Sequence, residues 1–127
     1  MAVTLQTDLE LIRPLEGSIV RRYTAGGTIT AGQPVAMLAA GTIARAEGAS
    51  SDPIPDFVIG CALKSATSGD RIDVVVYGPI SNCTAATPGK LIYISDTAGL
   101  MDETSTSNGV VGWAESATIV FVRPEKA

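Results

Sequence analysis

Residues Val58 to Ala66 read VIGCALKSA, and residues Val110 to Ala117 repeat the phrase as VVGWAESA. Each copy carries a glycine after two aliphatic residues, which predicts a strand that bends or lies close to another backbone. Cys61 and Trp113 then fill the same position with side chains of very different volume. We interpret this exchange of small for large as a way to keep the packing of one core even.

The similarity extends outward from this phrase along both halves of the chain. AGQPVAML corresponds to PGKLIYIS, AAGTIA to TAGLMD, and DVVVYG to TIVFVRP. We therefore predict that each half forms a small hairpin, a loop and two further strands around a turn. The predicted strands lie near residues 19–23, 35–38, 42–45, 58–63, 72–77, 91–95, 100–102, 110–114 and 118–122.

The composition indicates an all-β domain. The chain has 127 residues, of which 46% are hydrophobic and 5% aromatic, with 13 glycines and 7 prolines. This length is typical of one domain, and the glycines and prolines favour many turns over long helices. We expect residues 17–127 to form a single small β-barrel or β-sandwich, in which two similar hairpin-plus-two-strand units close over a shared core.

The first residues carry a separate pattern. From Val3 to Leu11 apolar and polar residues alternate, as in a strand with one dry face, and Pro14 interrupts regular pairing. We therefore predict that residues 1–16 form an extended arm and linker. The arm either folds back onto its own domain or adds to the edge of a partner's sheet. The candidate partner-binding residues of this arm are Val3, Leu5, Leu9, Leu11 and Ile12.

The net charge and the absence of His limit the classes of function that we expect for the chain. The net charge is −4, whereas proteins that bind nucleic acid directly gather Lys and Arg against the phosphates. The chain has no His, the commonest general base and metal ligand at neutral pH. No apolar run is long enough to span a bilayer. We expect no enzyme activity, no cofactor, no metal, and no direct contact with nucleic acid or membrane.

The remaining reactive residues are interpreted as structural. Cys61 and Cys83 lack a metal-binding spacing and stand where small buried residues are expected, while a disulfide between them is left open. The acidic pairs lie at predicted turns, where Asp often closes the backbone by local hydrogen bonds. A carboxylate-based hydrolase would instead need two acids held over a cleft. The acids concerned are Asp52, Asp56, Asp70, Asp73, Asp102 and Glu103.

The stretch VIGCALKSATSGDRIDVVVYGPIS, preceded by AGQPVAML and GTIARAEG, resembles the head decoration, or capsid cement, proteins of tailed bacteriophages. The resemblance covers about residues 28–122. It implies a β-tulip-like fold that is often assembled as a homotrimer on the threefold axes of an expanded capsid. It also implies the major capsid protein as partner, and a place on the capsid surface of the virion after synthesis in the host cytoplasm.

The function expected from this resemblance is structural. Decoration proteins of this kind clamp neighbouring capsid subunits against the pressure of packaged DNA, and an N-terminal arm commonly extends a capsid sheet. Similar β-hairpin units also occur in phage tail fibres and baseplates. A module for attachment to a host or a partner is therefore the alternative.

Overall fold

The structure is a computed structural model of the chain and describes residues 2–47, 58–104 and 109–125. These residues form antiparallel strands and a short 3-10 helix, Leu9–Leu11, so the all-β prediction is confirmed. No helix among them is long and apolar enough to cross a membrane. The strands are β1 (Ala2–Val3), β2 (Arg13–Pro14), β3 (Ile19–Thr24), β4 (Pro34–Met37), β5 (Ile43–Arg45), β6 (Gly60–Ala62), β7 (Arg71–Ser81), β8 (Leu91–Ile94), β9 (Met101–Asp102), β10 (Val110–Ala114) and β11 (Ile119–Glu125).

Two units of the same topology make up most of the sheet. The strand order is β5-β4-β6-β7 in the first unit and β9-β8-β10-β11 in the second, with all neighbours antiparallel. The repeat extends to single hydrogen bonds. Gly32 N–H donates to the Ala62 carbonyl at 2.7 Å, and Gly89 N–H donates to the Ala114 carbonyl at 2.8 Å. Both glycines adopt a positive φ, 91° and 85°, in the turn that enters the hairpin. The predicted duplication is therefore confirmed.

The long strand β7 belongs to both units. Its first part pairs with β3 and β6, and its last part pairs with β2 and β11. The prediction of a strand ending at Tyr77 is wrong, because β7 continues through Gly78 and Pro79 to Ser81. A register shift opposite β3 and the positive φ of Gly78, 104°, form a bulge at the point of transfer. Such a bulge bends a strand and re-aims its side chains.

The first unit closes directly on itself. Just after β3, Ala25 forms a parallel bridge with Ile43 of β5, and Gly26 N–H donates to the Ile43 carbonyl at 2.7 Å. The five strands β3, β7, β6, β4 and β5 therefore surround a small core of their own. The buried residues of this core are Ala25, Ile29, Val35, Ile43, Ala62, Ala66, Ile72 and Val74.

The second unit is closed by the N-terminal segment, residues 2–6. Val3 pairs with Met101 of β9, and Leu5 forms a bridge with Cys83, which follows β7. Gln6 N–H donates to the Asn82 carbonyl at 3.0 Å. The segment thus lies between β9 and the residues that follow β7. The equivalent parts of the first unit, which are β5 and the residue that follows β3, pair with each other directly.

These contacts favour the alternative in which the N-terminal segment folds back onto its own domain. Residues 2–3 pair with β9 and residues 13–14 pair with β7 of their own chain. The predicted division after residue 16 stays a prediction. The alternation from Val3 to Leu11 is also not one strand. Asp8 accepts a hydrogen bond from Leu11 N–H through its carbonyl at 3.0 Å and from Glu10 N–H through its carboxylate at 3.2 Å. Asp side chains favour such local turns over extended pairing.

A second and larger core joins the two units. It consists mainly of Val, Ile and Ala, as the low aromatic content predicts. Val3 and Ile12 of the N-terminal region belong to it. Its other buried members are Ala31, Ala36, Ala46, Val58, Cys61, Leu63, Val75, Ile80, Cys83, Ala86, Ile92, Ile94, Met101, Val111, Ala114, Val120 and Val122.

Candidate docking surface

The repeated phrase occupies opposite environments in the two units. Cys61 pairs with Val75 across β6 and β7, and Trp113 pairs with Phe121 across β10 and β11. Cys61 and Val75 are fully buried, whereas Trp113 and Phe121 are half-buried on the outer face of the second unit. The prediction that Trp113 helps to fill one evenly packed core is wrong. The face that is covered in the first unit is open in the second.

The glycines of the phrase explain why both pairs sit so closely. A Cβ on Gly60 would overlap the carbonyl oxygen of Val75, and a Cβ on Gly112 would overlap the carbonyl oxygen of Phe121. The predicted close approach of another backbone is confirmed at both positions. The absence of a Cβ at each glycine allows β6 to lie close to β7 and β10 to lie close to β11. This spacing fixes the positions of the next side chains, Cys61 and Trp113.

A continuous row of apolar side chains crosses the outer face of the second unit. Leu91, Trp113 and Phe121 are direct cross-strand neighbours on β8, β10 and β11. The ring centroids of Trp113 and Phe121 lie 5.3 Å apart in a stacked arrangement, and those of Phe121 and Tyr77 lie 5.3 Å apart edge to face. Tyr77 pairs in turn with Ile19 of β3. We call these five residues, Leu91, Trp113, Phe121, Tyr77 and Ile19, the aromatic row.

The aromatic row is both exposed and held in place. The exposed fractions are 47% for Leu91, 44% for Tyr77 and 54% for Ile19. Aromatic pairs in these geometries contribute about 0.5–1.5 kcal/mol each beyond the area that they bury, which restricts their rotamers. Contiguous apolar patches of a few hundred square ångströms on soluble proteins often mark interaction sites. The row therefore has the character of a docking surface.

Arginines flank the aromatic row. Arg123 lies two residues after Phe121 on β11, and Arg21 lies two residues after Ile19 on β3, so each shares a face with its neighbour in the row. Both are exposed. Within the described residues neither makes an ion pair. Trp, Tyr and Arg are the residue types most enriched among those that dominate binding energy at protein interfaces.

The cysteines are buried thiols. Cys61 and Cys83 are both free and buried in the larger core. Burial, with a smaller effect of the nearby Cys83 thiol, raises the pKa of Cys61 from 9.0 to about 12. Burial likewise raises the pKa of Cys83 to about 11. Both are protonated at neutral pH, and nucleophilic reactions require the thiolate.

Asn82 adds a buried polar group beside these thiols. Its side-chain Nδ2 donates to the Gly32 carbonyl at 3.0 Å, which ties the end of β7 to the turn before β4. Its Oδ1 has no hydrogen-bond partner among the described residues. The side chain thus links the two units across the larger core, at the level where the N-terminal segment pairs.

The acidic residues are held in turns and pairs. The Asp70 carboxylate accepts from Thr67 N–H at 2.9 Å, and that of Glu103 accepts from the Thr87 hydroxyl at 3.0 Å. Asp73 forms an ion pair with Arg22 at 3.0 Å across β3 and β7. The Thr104 N–H, which donates to the Asp102 carboxylate at 2.8 Å, lowers the pKa of that group. In residues 2–47, 58–104 and 109–125, the structure gathers no three His, Cys, Asp or Glu side chains suited to a metal. Asp52 and Asp56 lie outside the described residues.

The predicted partner-binding residues do not form one exposed surface. Val3 and Ile12 are 3% and 5% exposed, and Leu5 is half-buried against the larger core. Leu11 is exposed, and the side chain of Leu9 lies outside the part of the chain that the structure describes. Val3, Leu5 and Ile12 thus pack within their own chain, and the assignment of these residues to partner binding stays a prediction.

The aromatic row was missed by the sequence reasoning, although one signal for it exists. In the stretch 119–123, Ile119, Phe121 and Arg123 alternate with Val120 and Val122. An arginine almost never points into an apolar core, so Arg123 marks the face of Phe121 as the outer one. The same parity then assigns Trp113, the cross-strand partner of Phe121, to the outside.

Comparisons with known proteins give no family. No family model matches the chain, and a search of curated proteins finds no significant match. The resemblance to head decoration proteins therefore stays a prediction.

Proposed function

We propose that the chain is a structural protein of a phage particle, which binds the outside of an expanded capsid and clamps neighbouring capsid subunits. The observation that supports this most is the aromatic row, an apolar surface fixed on a body whose two units share β7. A clamp needs a firm body with an adhesive face, and the shared strand β7 and the exposed aromatic row are consistent with these two requirements. The sequence resemblance to decoration proteins points to the same role.

In this proposal the aromatic row, and not the N-terminal arm, binds the capsid. The N-terminal segment stays in its own chain, and the row from Leu91 to Ile19 contacts the major capsid protein. Assembly as a homotrimer would place three such faces on one particle, and linked contacts bind more firmly than single ones because the second and third events are intramolecular. Modest affinity per face is then enough to hold a capsid lattice at the virion surface.

The test is attachment to undecorated, expanded heads of tailed phages. The purified protein should bind in a saturable, stoichiometric manner. Trp113→Ala should weaken binding by about tenfold or more, because aromatic side chains near the centre of an interface dominate its energy. Leu91→Ser should weaken binding less, because Leu91 lies at the end of the row. Leu100→Ser is the matched control, since Leu100 is a comparably exposed leucine, at 36%, outside the row. Failure of the wild-type protein to attach, or equal binding by row and control variants, would contradict the proposal.

A tail-fibre or baseplate module is the second candidate. Aromatic side chains on a sheet face also suit sugar rings and other apolar surfaces, because they combine a large apolar area with few rotamers. A protein of this kind should bind a host glycan or a fibre partner and show no affinity for expanded heads. Mass measurement of the free protein decides separately whether it is a trimer.

A further inference from the structure

The strand β3 presents an open sheet edge. It spans six residues, Ile19–Thr24, and in the described part of the chain its only strand partner is β7, on one side. No backbone hydrogen bond joins its other side to the rest of the described chain until Ala25. Ile19 and Val20 are 54% and 40% exposed. An exposed edge strand of this length is a template for pairing with another chain.

The two arginines in the middle of β3 determine which kind of strand can pair with its open edge. Arg22 is engaged by Asp73 of its own chain at 3.0 Å, whereas Arg21 has no ion-pair partner among the described residues. Antiparallel pairing of two β3 edges about their centre would set Arg21 of one copy opposite Arg22 of the other. Like charges directly opposite one another destabilise a strand pair. The edge therefore disfavours a second copy and favours a strand with a carboxylate near Arg21.

The apolar ends of β3 define the rest of the partner strand. Ile19 and Tyr77 end the aromatic row, so an added strand would continue that surface on one face. Val20 pairs with Val75 and points to the other face. Added strands gain affinity from main-chain hydrogen bonds and specificity from alternate side chains.

We propose that β3 is a docking edge for an extended, acidic segment of another protein, which adds to the sheet as a further strand. A carboxylate of that segment lies opposite Arg21, and β-branched residues lie beside Ile19 and Val20. The inference goes beyond the proposed function, because it rests on the edge strand and not on the identity of the protein that supplies the segment.

The experiment uses synthetic peptides with the full chain. The probe is a fluorescently labelled peptide with Glu-Val-Val at its centre, which in antiparallel pairing sets the glutamate opposite Arg21 and the valines opposite Val20 and Ile19. Its counterparts carry lysine in place of glutamate or N-methyl groups at alternate positions. The glutamate peptide should bind about tenfold more tightly than the lysine peptide, and N-methylation should abolish binding, since it removes main-chain donors. Amide hydrogen exchange should slow at residues 19–23 when the glutamate peptide is bound.

Arg21→Glu should reverse the preference of the protein for the two peptides. The matched control is Lys90→Glu, which makes the same change at an exposed position in a turn of the second unit and should leave the preference unchanged. Because Arg21 is exposed, the variant should keep the wild-type circular dichroism spectrum.

Three outcomes would overturn the inference. These are equal affinity for the two peptides, peptide binding without protection of residues 19–23, or protection of β3 by self-association of the free protein. A protein that captures the glutamate peptide at β3 but does not attach to phage heads would refute only the decoration proposal. The reverse result would refute only the docking edge.

Discussion

The two units are built on one plan and differ in what covers them. In the first unit β3 leads directly to β5 through Ala25 and Ile43, whereas the second unit needs the N-terminal segment between β9 and residues 82–84. The Cys61 position of the first unit lies in the core, and the equivalent Trp113 lies on the surface. The same plan thus yields one unit in which the repeated position is buried and one in which it lies on the surface.

The shared plan is tested most strongly at the paired glycines. Gly60→Ala and Gly112→Ala should each lower the free energy of unfolding by about 3 kcal/mol or more, because the added methyl would overlap a backbone carbonyl and push two strands apart. Urea denaturation measures both. Gly27→Ala is the control, since a Cβ there meets no atom within 4 Å, and it should be nearly neutral. A large effect at only one of the two glycines would show that the units are not equivalent.

The different closure of the units is tested at the N-terminus. Val3→Ala should destabilise the protein by about 2 kcal/mol, because Val3 is buried where the segment joins β9. Leu11→Ala removes a larger side chain that is 48% exposed and should change stability by less than about 0.5 kcal/mol. Thermal or urea unfolding compares the two. Equal effects would mean that the segment is not an integral part of the second unit.

The buried thiol of the first unit gives a pH-dependent difference. In the unfolded chain Cys61 ionises near its ordinary pKa of 9.0, and in the folded chain only near a pKa of about 12. Above pH 9 the unfolded state therefore binds fewer protons, and the free energy of unfolding should fall with rising pH by about 1.4 kcal/mol per pH unit from this group. This contribution is fully present below pH 9.

Cys61→Ala should reduce the alkaline slope between pH 9 and 11, measured by urea denaturation at several pH values, and the slope that remains should include the contribution of the Cys83 thiol. Val75→Ala is the matched control, because Val75 is the buried cross-strand partner of Cys61 and does not titrate. Val75→Ala should lower the free energy of unfolding by the same amount at every pH. The slope of this free energy against pH should therefore stay unchanged. An unchanged slope in Cys61→Ala would mean that the thiol is not shielded from water in the folded chain.

The repeat and most strands followed from the sequence because their signals are local. Glycines at Gly32 and Gly89 mark turns, and short Val- and Ile-rich runs between such turns are typical of strands. The extent of β7 did not follow from these rules. Gly78 and Pro79 normally end a strand, yet here the glycine forms the bulge and the Pro79 carbonyl accepts a hydrogen bond from Leu15 N–H at 3.0 Å.

The candidate surface was harder to predict because it depends on contacts that are distant in the sequence. The alternation that includes Val3 and Leu5 correctly indicates that one side of the N-terminal segment is apolar. It does not indicate which strands the segment pairs with. That choice depends on the gap between Met101 and Cys83, which exists only once both units are folded. Likewise, Trp113 resembles a core residue by type, and only the parity shared with Arg123 places it outside.

The closure of the second unit by residues 2–6 also affects how the chain folds. Val3 pairs with Met101, which lies far from it in the sequence. Pairing across such a separation is slow, because a long loop must close before any contact rewards it. We therefore expect the docking of residues 2–6 to be a late step in folding.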